Sequence, residues 1–342
     1  MRNARFFFVV ALLLACPGRL FAQSNAYPLA LTEEERILQE AESYQAPFGV
    51  SVGLGQTLGA ATFNDNAGVR RPSLDMSISV SPYWRLTKLM RLTAGIGTSV
   101  ALVESYDTNT TKQHQWYLSD LSLGLSHAQL AKIPGADIGV SGQVSLGFPT
   151  SLQSQYRELI MAMRAGLGFS RAFGPVYVSY GIGVFKNLNR YTSPTLSREE
   201  VGDHVILSHY QGNENLTSDL VALGGNNTSF GISNSLLVSY YIIDPLSFTV
   251  AYTLSNSWTY RSYSNDEYAS EYADGGRGQR DSHSGVVDIT YQFNDVYSLG
   301  LGVQTVAAPR TADNKGWTFP FLNFSNDYRS NTGIYLGFNA AF

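Results

Sequence analysis

Apolar and polar residues alternate along most of this chain with the period of two residues that an extended β-strand produces. Between residues 246 and 254, for example, Leu, Phe, Val, Tyr and Leu occupy the even positions, and Ser, Thr, Ala and Thr occupy the odd positions. The pattern recurs about twelve times and predicts an apolar face and a small or polar face for each strand. The predicted strands span residues 47–60, 73–86, 90–104, 115–128, 136–149, 158–172, 175–191, 229–243, 246–260, 283–293, 297–308 and 332–342.

The connections between the predicted strands alternate in length. Short links are predicted around residues 87–89, 132–135, 173–174, 244–245 and 294–295. Long polar links are predicted around residues 63–72, 106–114, 150–157, 192–228, 261–282 and 309–331. Short turns at one end and long loops at the other are typical of a transmembrane β-barrel, and an even number of strands closes it without a free edge. A soluble β-sandwich, the alternative for such a chain, gives no reason for this alternation.

The last predicted strand, residues 332–342, ends the chain on an aromatic residue. Phe338 and Phe342 belong to its apolar face, and Gly337 lies on the other face, five residues before the end. This strand resembles the closing strand of bacterial outer-membrane β-barrel proteins, although Ala340 stands where that family prefers a bulky apolar residue. The resemblance implies that Gly337, Phe338 and Phe342 form the signal that the barrel assembly machinery recognises.

The beginning of the chain has the features of an export signal. Arg2 and Arg5 precede an apolar run over residues 6–15, and Ala22 offers a small residue for cleavage. We therefore predict a signal peptide at residues 1–22, because the apolar run is too short to cross a bilayer as a helix. The alternative is a lipoprotein signal, in which Cys16, the single cysteine, carries an acyl anchor.

These patterns predict an all-β fold in the cell outer membrane. Residues 47–342 form a transmembrane, antiparallel, up-and-down β-barrel of about twelve strands. Residues 23–46 form an N-terminal periplasmic segment that contains a short helix at residues 31–44. Thr32 and Glu35 have the spacing of a capping box at the start of that helix.

Composition narrows the classes of function. After the export signal, no stretch approaches the run of about 20 apolar residues that a membrane-spanning helix needs. The formal net charge is −4, so we expect no nucleic-acid partner. The sequence has no Walker loop, no HExxH motif and no helix-borne G-x-G-x-x-G motif. We therefore predict no cofactor and no metal site.

The face of each strand opposite the apolar face is dominated by Gly, Ser, Thr and Ala, which predicts a lumen with space for water. The helix at residues 31–44 or the long link at residues 192–228 could narrow it. Mixed charges predict weak ion selectivity, unless Arg164 simply pairs with a neighbouring Asp. The predicted pore-lining residues are Asp75, Arg85, Arg91, Asp120, Asp137, Arg164, Asp288, Gln304 and Asn339.

Resemblance to porin-like channel proteins implies passive diffusion of small hydrophilic solutes or ions. The expected partners are outer-membrane lipid, lipopolysaccharide, the barrel assembly machinery and small solutes. The alternative function is a non-conducting barrel whose long loops bind a partner or lipopolysaccharide. The acidic stretch at residues 264–275 could support that role by bridging lipopolysaccharide through divalent cations.

A surface hydrolase is a third hypothesis, although we predict no enzyme. Asp281 and His283 have the Asp-x-His spacing of omptin-like proteases, and Asp203 precedes His204 in the longest link. An Asp beside a His can orient it as a general base. His127, and the adjacent His283 and Ser284, match only the residue types of outer-membrane phospholipases and not their fuller motif.

Overall fold

The computed structural model describes residues 47–63, 72–103, 114, 116–193, 195–197, 220–222, 226–262, 276–311, 313–324 and 331–342. Its strands are β1 (Phe48–Gly59), β2 (Leu74–Arg85), β3 (Met90–Val103), β4 (Trp116–Leu118), β5 (Leu121–Ile133), β6 (Ile138–Phe148), β7 (Leu159–Phe173), β8 (Val176–Asn189), β9 (Thr195–Ser197), β10 (Leu220–Ala222), β11 (Thr228–Ile243), β12 (Leu246–Ser262), β13 (Gly276–Gln292), β14 (Tyr297–Ala307) and β15 (Thr332–Ala341). A 3-10 turn at Ala60–Phe63 and a short helix, α1 (Leu152–Tyr156), accompany them. The predicted signal peptide, Cys16 and the helix at residues 31–44 lie outside the described residues.

Twelve of these strands form one closed antiparallel barrel. Each strand pairs with its neighbours in chain order, and β1 pairs with β15 from Ser51↔Ala341 to Gly59↔Gly333. The short strand β4 pairs with β3 beside β5, and β9 pairs with β10 in a separate two-stranded sheet. Closure leaves no edge strand, so the backbone groups of the wall bond to one another, as a span through lipid requires. The predicted all-β, up-and-down barrel of about twelve strands is confirmed.

The alternation of short and long connections is also confirmed. Short turns join β2 to β3, β5 to β6, β7 to β8, β11 to β12 and β13 to β14, whereas long connections join the strands at the opposite end. We call these the short-turn end and the long-loop end. The N–H group of Arg85 bonds to the carbonyl of Pro47, so the described start of the chain lies at the short-turn end.

Two predicted strands differ from the observed ones by five residues or more at one end. The predicted strand at 115–128 divides into β4 and β5 and continues to Ile133. The other change is in β13, which begins at Gly276 rather than at residue 283, because its polar first half still forms ladder hydrogen bonds with β12. Backbone pairing does not depend on an apolar pattern, so the alternation of apolar residues predicts a strand that is shorter than β13.

The two faces of the barrel wall are chemically distinct. Leu301, Ile289 and Val184 are exposed on the outer face, which is the face that meets lipid. Small and polar residues occupy the inner face, opposite these side chains. No helix among the described residues has the length and apolarity needed to cross a bilayer.

Candidate functional site: lumen and outer wall

Small residues line most of the inner wall. Twelve strands spaced about 4.8 Å apart and tilted by about 40° make a ring about 24 Å wide between backbones. Side chains of glycine, serine and threonine cannot fill a ring of that width. Inward positions of this kind are Ser51, Gly53 and Gly55 on β1, Thr93, Gly95, Gly97 and Ser99 on β3, and Ser179, Gly181 and Gly183 on β8.

A basic and aromatic cluster occupies the short-turn end of the lumen. The guanidinium carbons of Arg91 and Arg85 lie 4.2 Å and 4.9 Å from the centre of the Tyr83 ring. The Tyr83 hydroxyl donates to the main-chain oxygen of Phe342 at 3.2 Å, and Arg85 donates to that hydroxyl at 3.2 Å. Gly49 makes this possible, because a Cβ there would lie 2.3 Å from both oxygens. Tyr83 therefore crosses over β1 and ties β2 to the end of the chain.

A buried carboxylate lies on the inner wall of β13. The Tyr335 hydroxyl donates to Asp288 Oδ2 at 2.9 Å, and only 1% of Asp288 is exposed. Asp288 Oδ1 accepts no hydrogen bond from the described residues. Gly302 lies between them, and a Cβ there would be 2.6 Å from both side chains. The Tyr335 side chain therefore lies across Gly302 and covers the Asp288 carboxylate on the inner wall.

The long-loop end of the lumen carries Asp120 and Arg164. Asp120 Oδ1 accepts the N–H of Ser151 at 3.0 Å, and Oδ2 accepts the hydroxyl of Ser154 at 2.5 Å. Ser151 also caps the start of α1 through the N–H of Ser154. Asp120 thus fastens the β6–β7 connection at the barrel mouth. Arg164 on β7 lies 3.5 Å from the Cβ position of Gly147, and it forms no ion pair with the described residues.

The other predicted pore residues divide between wall and turn. Asp75 is buried on the inner face of β2 near the long-loop end, and Asn339 Oδ1 lies 3.3 Å from the Cβ position of Gly53. Gln304 has the inward position on β14 beside Val286. Asp137 instead lies in the exposed β5–β6 turn, where Lys132 Nζ is 2.5 Å away and its hydrogen bond holds the pKa of Asp137 below the usual value. Asp137 therefore lies in a turn and not within a strand of the wall.

The inward charges do not form a ring of one sign. Arg85 and Arg91 lie at the short-turn end, Asp288 lies farther along the wall, and Asp75 and Arg164 lie toward the long-loop end. This placement distributes positive and negative charges along the axis of the lumen.

The hydrolase candidates are held by other partners. Asp281 accepts hydrogen bonds from the amides of Asn256 and Gln279 at 2.9 Å. His283 Nε2 lies 2.7 Å from the hydroxyl of Thr318, and only 3% of His283 is exposed. Ser284 has the inward position on the same strand, so it lies on the opposite face from His283. The structure therefore does not assemble the Asp281–His283 pair, and residues 203 and 204 lie outside the described residues.

Part of the β14–β15 connection folds back onto the outside of the barrel. We call residues 309–324 the outer-wall segment. Thr318 bonds to His283, and the Phe321 ring lies 6.2 Å from the Tyr252 ring. The carbonyl oxygen of Pro320 lies 2.3 Å from the Cβ position of Gly285. A glycine on the outer face of β13 therefore allows this segment to lie directly against the wall.

The outer-wall segment satisfies polar groups that would otherwise face lipid. Thr305 and Thr332 are register partners on the outer face, and their hydroxyl oxygens are 3.0 Å apart. Asn323 covers them, since its N–H bonds to Thr305 and its carbonyl accepts the Thr332 hydroxyl. Thr305 is 0% exposed as a result. An unsatisfied hydroxyl facing lipid is unfavourable, so the segment completes this part of the wall.

The outer-wall segment has an apolar sequence pattern that is not expected of a polar link. Residues 317–324 contain five aromatic or branched apolar side chains within eight positions. Trp317, Phe319, Leu322 and Phe324 point away from the wall and are exposed. The prediction of a polar link between β14 and β15 is therefore wrong for this segment. The link carries an apolar surface on the outside of the barrel.

The predicted assembly residues lie at the seam between β15 and β1. Phe342 and Phe338 flank the Tyr297 ring, with centroids 6.0 Å and 5.8 Å away. Gly337 pairs with Gly55 on one side and Gly300 on the other. Recognition by the assembly machinery stays a prediction.

No group of three or more His, Cys, Asp or Glu side chains within the described ranges is arranged to hold a metal ion.

Comparison of the sequence with protein-family models and with curated proteins finds no match. Solved structures with a similar chain course are outer-membrane proteins. The outer-membrane channel COG4313 of Pseudomonas putida F1 matches at 9% identity and a TM-score of 0.49, over 87% of this chain and 97% of that one. The NanC porin matches at 11% identity and 0.40, over 85% and 98%, and the KdgM porin matches at 9% and 0.40, over 85% and 99%.

Proposed function

We propose that the protein is an outer-membrane channel through which small hydrophilic solutes or ions diffuse passively. The observation that carries the proposal is the closed ring of twelve strands, apolar outside and lined inside mainly by small side chains. Such a wall removes the hydrocarbon barrier, and the lumen charges and loops then filter what passes. Because the inward charges are mixed, we expect weak ion selectivity.

The test is single-channel conductance of the refolded mature protein in a planar bilayer. Steady open-channel steps support the proposal. Arg164→Gln should change the conductance and shift the reversal potential toward cation preference, because it removes a lumen cation that forms no salt bridge with the described residues and whose nearby opposite charge, Asp120, stays in place. Asp137→Asn is the matched control, since this charge lies in an exposed turn, and it should leave both quantities unchanged.

The alternative is a barrel with a sealed lumen whose long loops bind a partner or lipopolysaccharide. The observation in its favour is the near-complete burial of Arg91 and Asp288 on the inner wall, at 3% and 1% exposure. Silence from folded, heat-modifiable protein would contradict an open channel. Deletion of residues 31–44 then distinguishes a plugged channel from a sealed barrel. If a current appears, these residues plug the lumen. If no current appears, the function is assigned to the long loops.

A further inference from the structure

A cluster of cations and aromatic rings occupies the outer face of the barrel at the long-loop end of β8, β11, β12 and β13. Phe230 and Trp258 are register partners, and their rings stack with centroids 5.1 Å apart. Lys186 is the register partner of Phe230 on the other side. The next outward positions toward the short-turn end are the apolar Val184 and Ile232. The cluster therefore lies at the boundary of the apolar band, where aromatic side chains mark the membrane interface.

Local packing holds two of the cations over this aromatic surface. Lys186 Nζ donates to the Ser229 hydroxyl at 2.6 Å and lies 4.8 Å from the centre of the Tyr260 ring. The guanidinium carbon of Arg277 lies 5.4 Å from the centre of the Phe230 ring. Arg277 also donates to the carbonyl of Thr259 at 3.2 Å, which directs its side chain toward β11 and β12.

A third cation brings like charges together. Arg261 is the direct register partner of Arg277, and both side chains are exposed. Like charges directly opposite each other on neighbouring strands destabilise the pair. An anion that binds between the two guanidinium groups removes this repulsion and gains charge-assisted hydrogen bonds.

The described part of the chain supplies no such anion. Lys186, Arg261 and Arg277 form no ion pair with the described residues. Asp281 shares the outer face of β13, but its oxygens accept hydrogen bonds from Asn256 and Gln279. The counter-charge must therefore come from outside these residues, at the depth of the membrane interface.

We propose that Lys186, Arg261 and Arg277 form a binding site for the phosphate groups of a phosphorylated glycolipid of the outer leaflet, of the lipid A type. The planar guanidinium groups match phosphate geometry, and Lys186 adds a point charge beside them. The Phe230–Trp258 stack then lies beneath the headgroup, and the acyl chains run along Val184 and Ile232. The site lies on the outside of the wall, so it does not depend on whether the lumen conducts.

The test is a titration of refolded mature protein in detergent with purified lipid A, in which native mass spectrometry counts bound lipid. We expect Arg261→Gln/Arg277→Gln to weaken binding at least tenfold and the addition of Lys186→Gln to weaken it further. Arg171→Gln is the matched control, because Arg171 packs over Phe173 at 4.5 Å on the outer face at the short-turn end. It should bind as the wild type does. Equal affinity of the double variant and this control would overturn the proposal.

Two further arms identify the anion. Chemically dephosphorylated lipid A should bind the wild type no more tightly than the intact lipid binds the triple variant. Binding that ignores the phosphates would overturn the proposal, as would full displacement by millimolar inorganic phosphate, which would indicate a site for the free anion. The acidic residues of the β12–β13 connection are the alternative ligands, because carboxylates can bridge to phosphate groups through divalent cations. If neutralising Asp266, Glu267, Glu271 and Asp274 abolishes binding, the lipid is held by that connection and not by the cations.

Discussion

At the scale of single residues, glycines set how closely side chains cross the barrel wall. Gly49 and Gly302 occupy inward positions where a neighbouring tyrosine lies over the glycine to reach an oxygen on another strand. The alternating pattern predicts glycines on the inner face, where they leave space for water. The structure shows that these two serve contacts between side chains, because each Cβ position is already occupied by a tyrosine atom.

Gly49→Ala should destabilise the closing seam. The added Cβ would lie 2.3 Å from the Tyr83 hydroxyl and the Phe342 oxygen, so the Tyr83 bond must break or β1 must shift. We expect a lower denaturant midpoint in unfolding followed by heat modifiability on gels. Gly55→Ala is the control, because its Cβ would meet nothing closer than Ser77 Oγ at 3.6 Å. Equal loss in both variants would contradict the role of the Tyr83 contact.

Tyr335→Phe should leave the buried carboxylate of Asp288 without its described hydrogen-bond donor. Loss of a partner to a buried charged group costs about 1 to 3 kcal/mol in the free energy of unfolding. Equilibrium unfolding in urea from lipid vesicles measures this change. Tyr291→Phe removes a hydroxyl on the outer face with no described hydrogen bond, and it should change the free energy much less. Restoration of stability by Tyr335→Phe/Asp288→Asn would show that the cost arises from the isolated charge.

At the scale of elements, the outer-wall segment has a docking site made of side chains from four strands. Tyr252 on β12, His283 on β13, Thr305 on β14 and Thr332 on β15 all contact residues of the segment. The pattern of a single strand does not indicate this docking site. A polar residue at an outward position only interrupts the alternation of apolar and polar residues in that strand. The partner of the four side chains is the β14–β15 connection, which the sequence pattern predicts to be polar.

Gly285→Ala should displace this segment from the wall. Its Cβ would lie 2.3 Å from the Pro320 carbonyl oxygen, and backbone cannot yield as a flexible side chain can. Thr305→Cys reports the change, since the mature chain predicted by cleavage after Ala22 has no other cysteine. A lipid-permeant maleimide should label Cys slowly in the Thr305→Cys background and much faster when Gly285→Ala is added. Gly124→Ala is the control, with no atom closer than 3.7 Å to its Cβ, and it should not change the labelling rate.

At the scale of the whole molecule, the barrel depends on one closing pair of strands that are far apart in the chain. Val50 and Phe342 exchange two backbone hydrogen bonds of 3.0 Å and 2.9 Å at the short-turn end of this seam. The Phe342 ring itself is 59% exposed on the outer face. Closure therefore uses the main chain of the last residue, while its ring is available to an external partner.

Phe342→Ala should therefore separate folding from assembly. Refolding in vitro should proceed with nearly unchanged yield, because the backbone bonds to Val50 remain. In cells, the amount of heat-modifiable barrel in outer-membrane fractions should fall several-fold if the terminal aromatic residue is the assembly signal. Phe173→Ala is the control, since this ring is 52% exposed at a short turn elsewhere in the barrel. A similar loss in cells for both variants would contradict a specific role of the terminus.

The sequence by itself determined the fold class, the number of strands and the alternation of short and long connections. These features follow from local chemistry: a period of two residues places apolar side chains on one face, and turn residues interrupt it. Even the inward position of Asp288 and Arg164 follows from their place within a strand.

Only the tertiary structure decided which residues meet across the wall. Asp137 lies in a turn and pairs with Lys132, and residues 309–324 lie against the outer wall because four strands together form their docking site. The cluster of Lys186, Arg261 and Arg277 likewise forms only when β8, β12 and β13 close around β11. Such contacts depend on the register between strands that are distant in the chain, and no local pattern specifies that register.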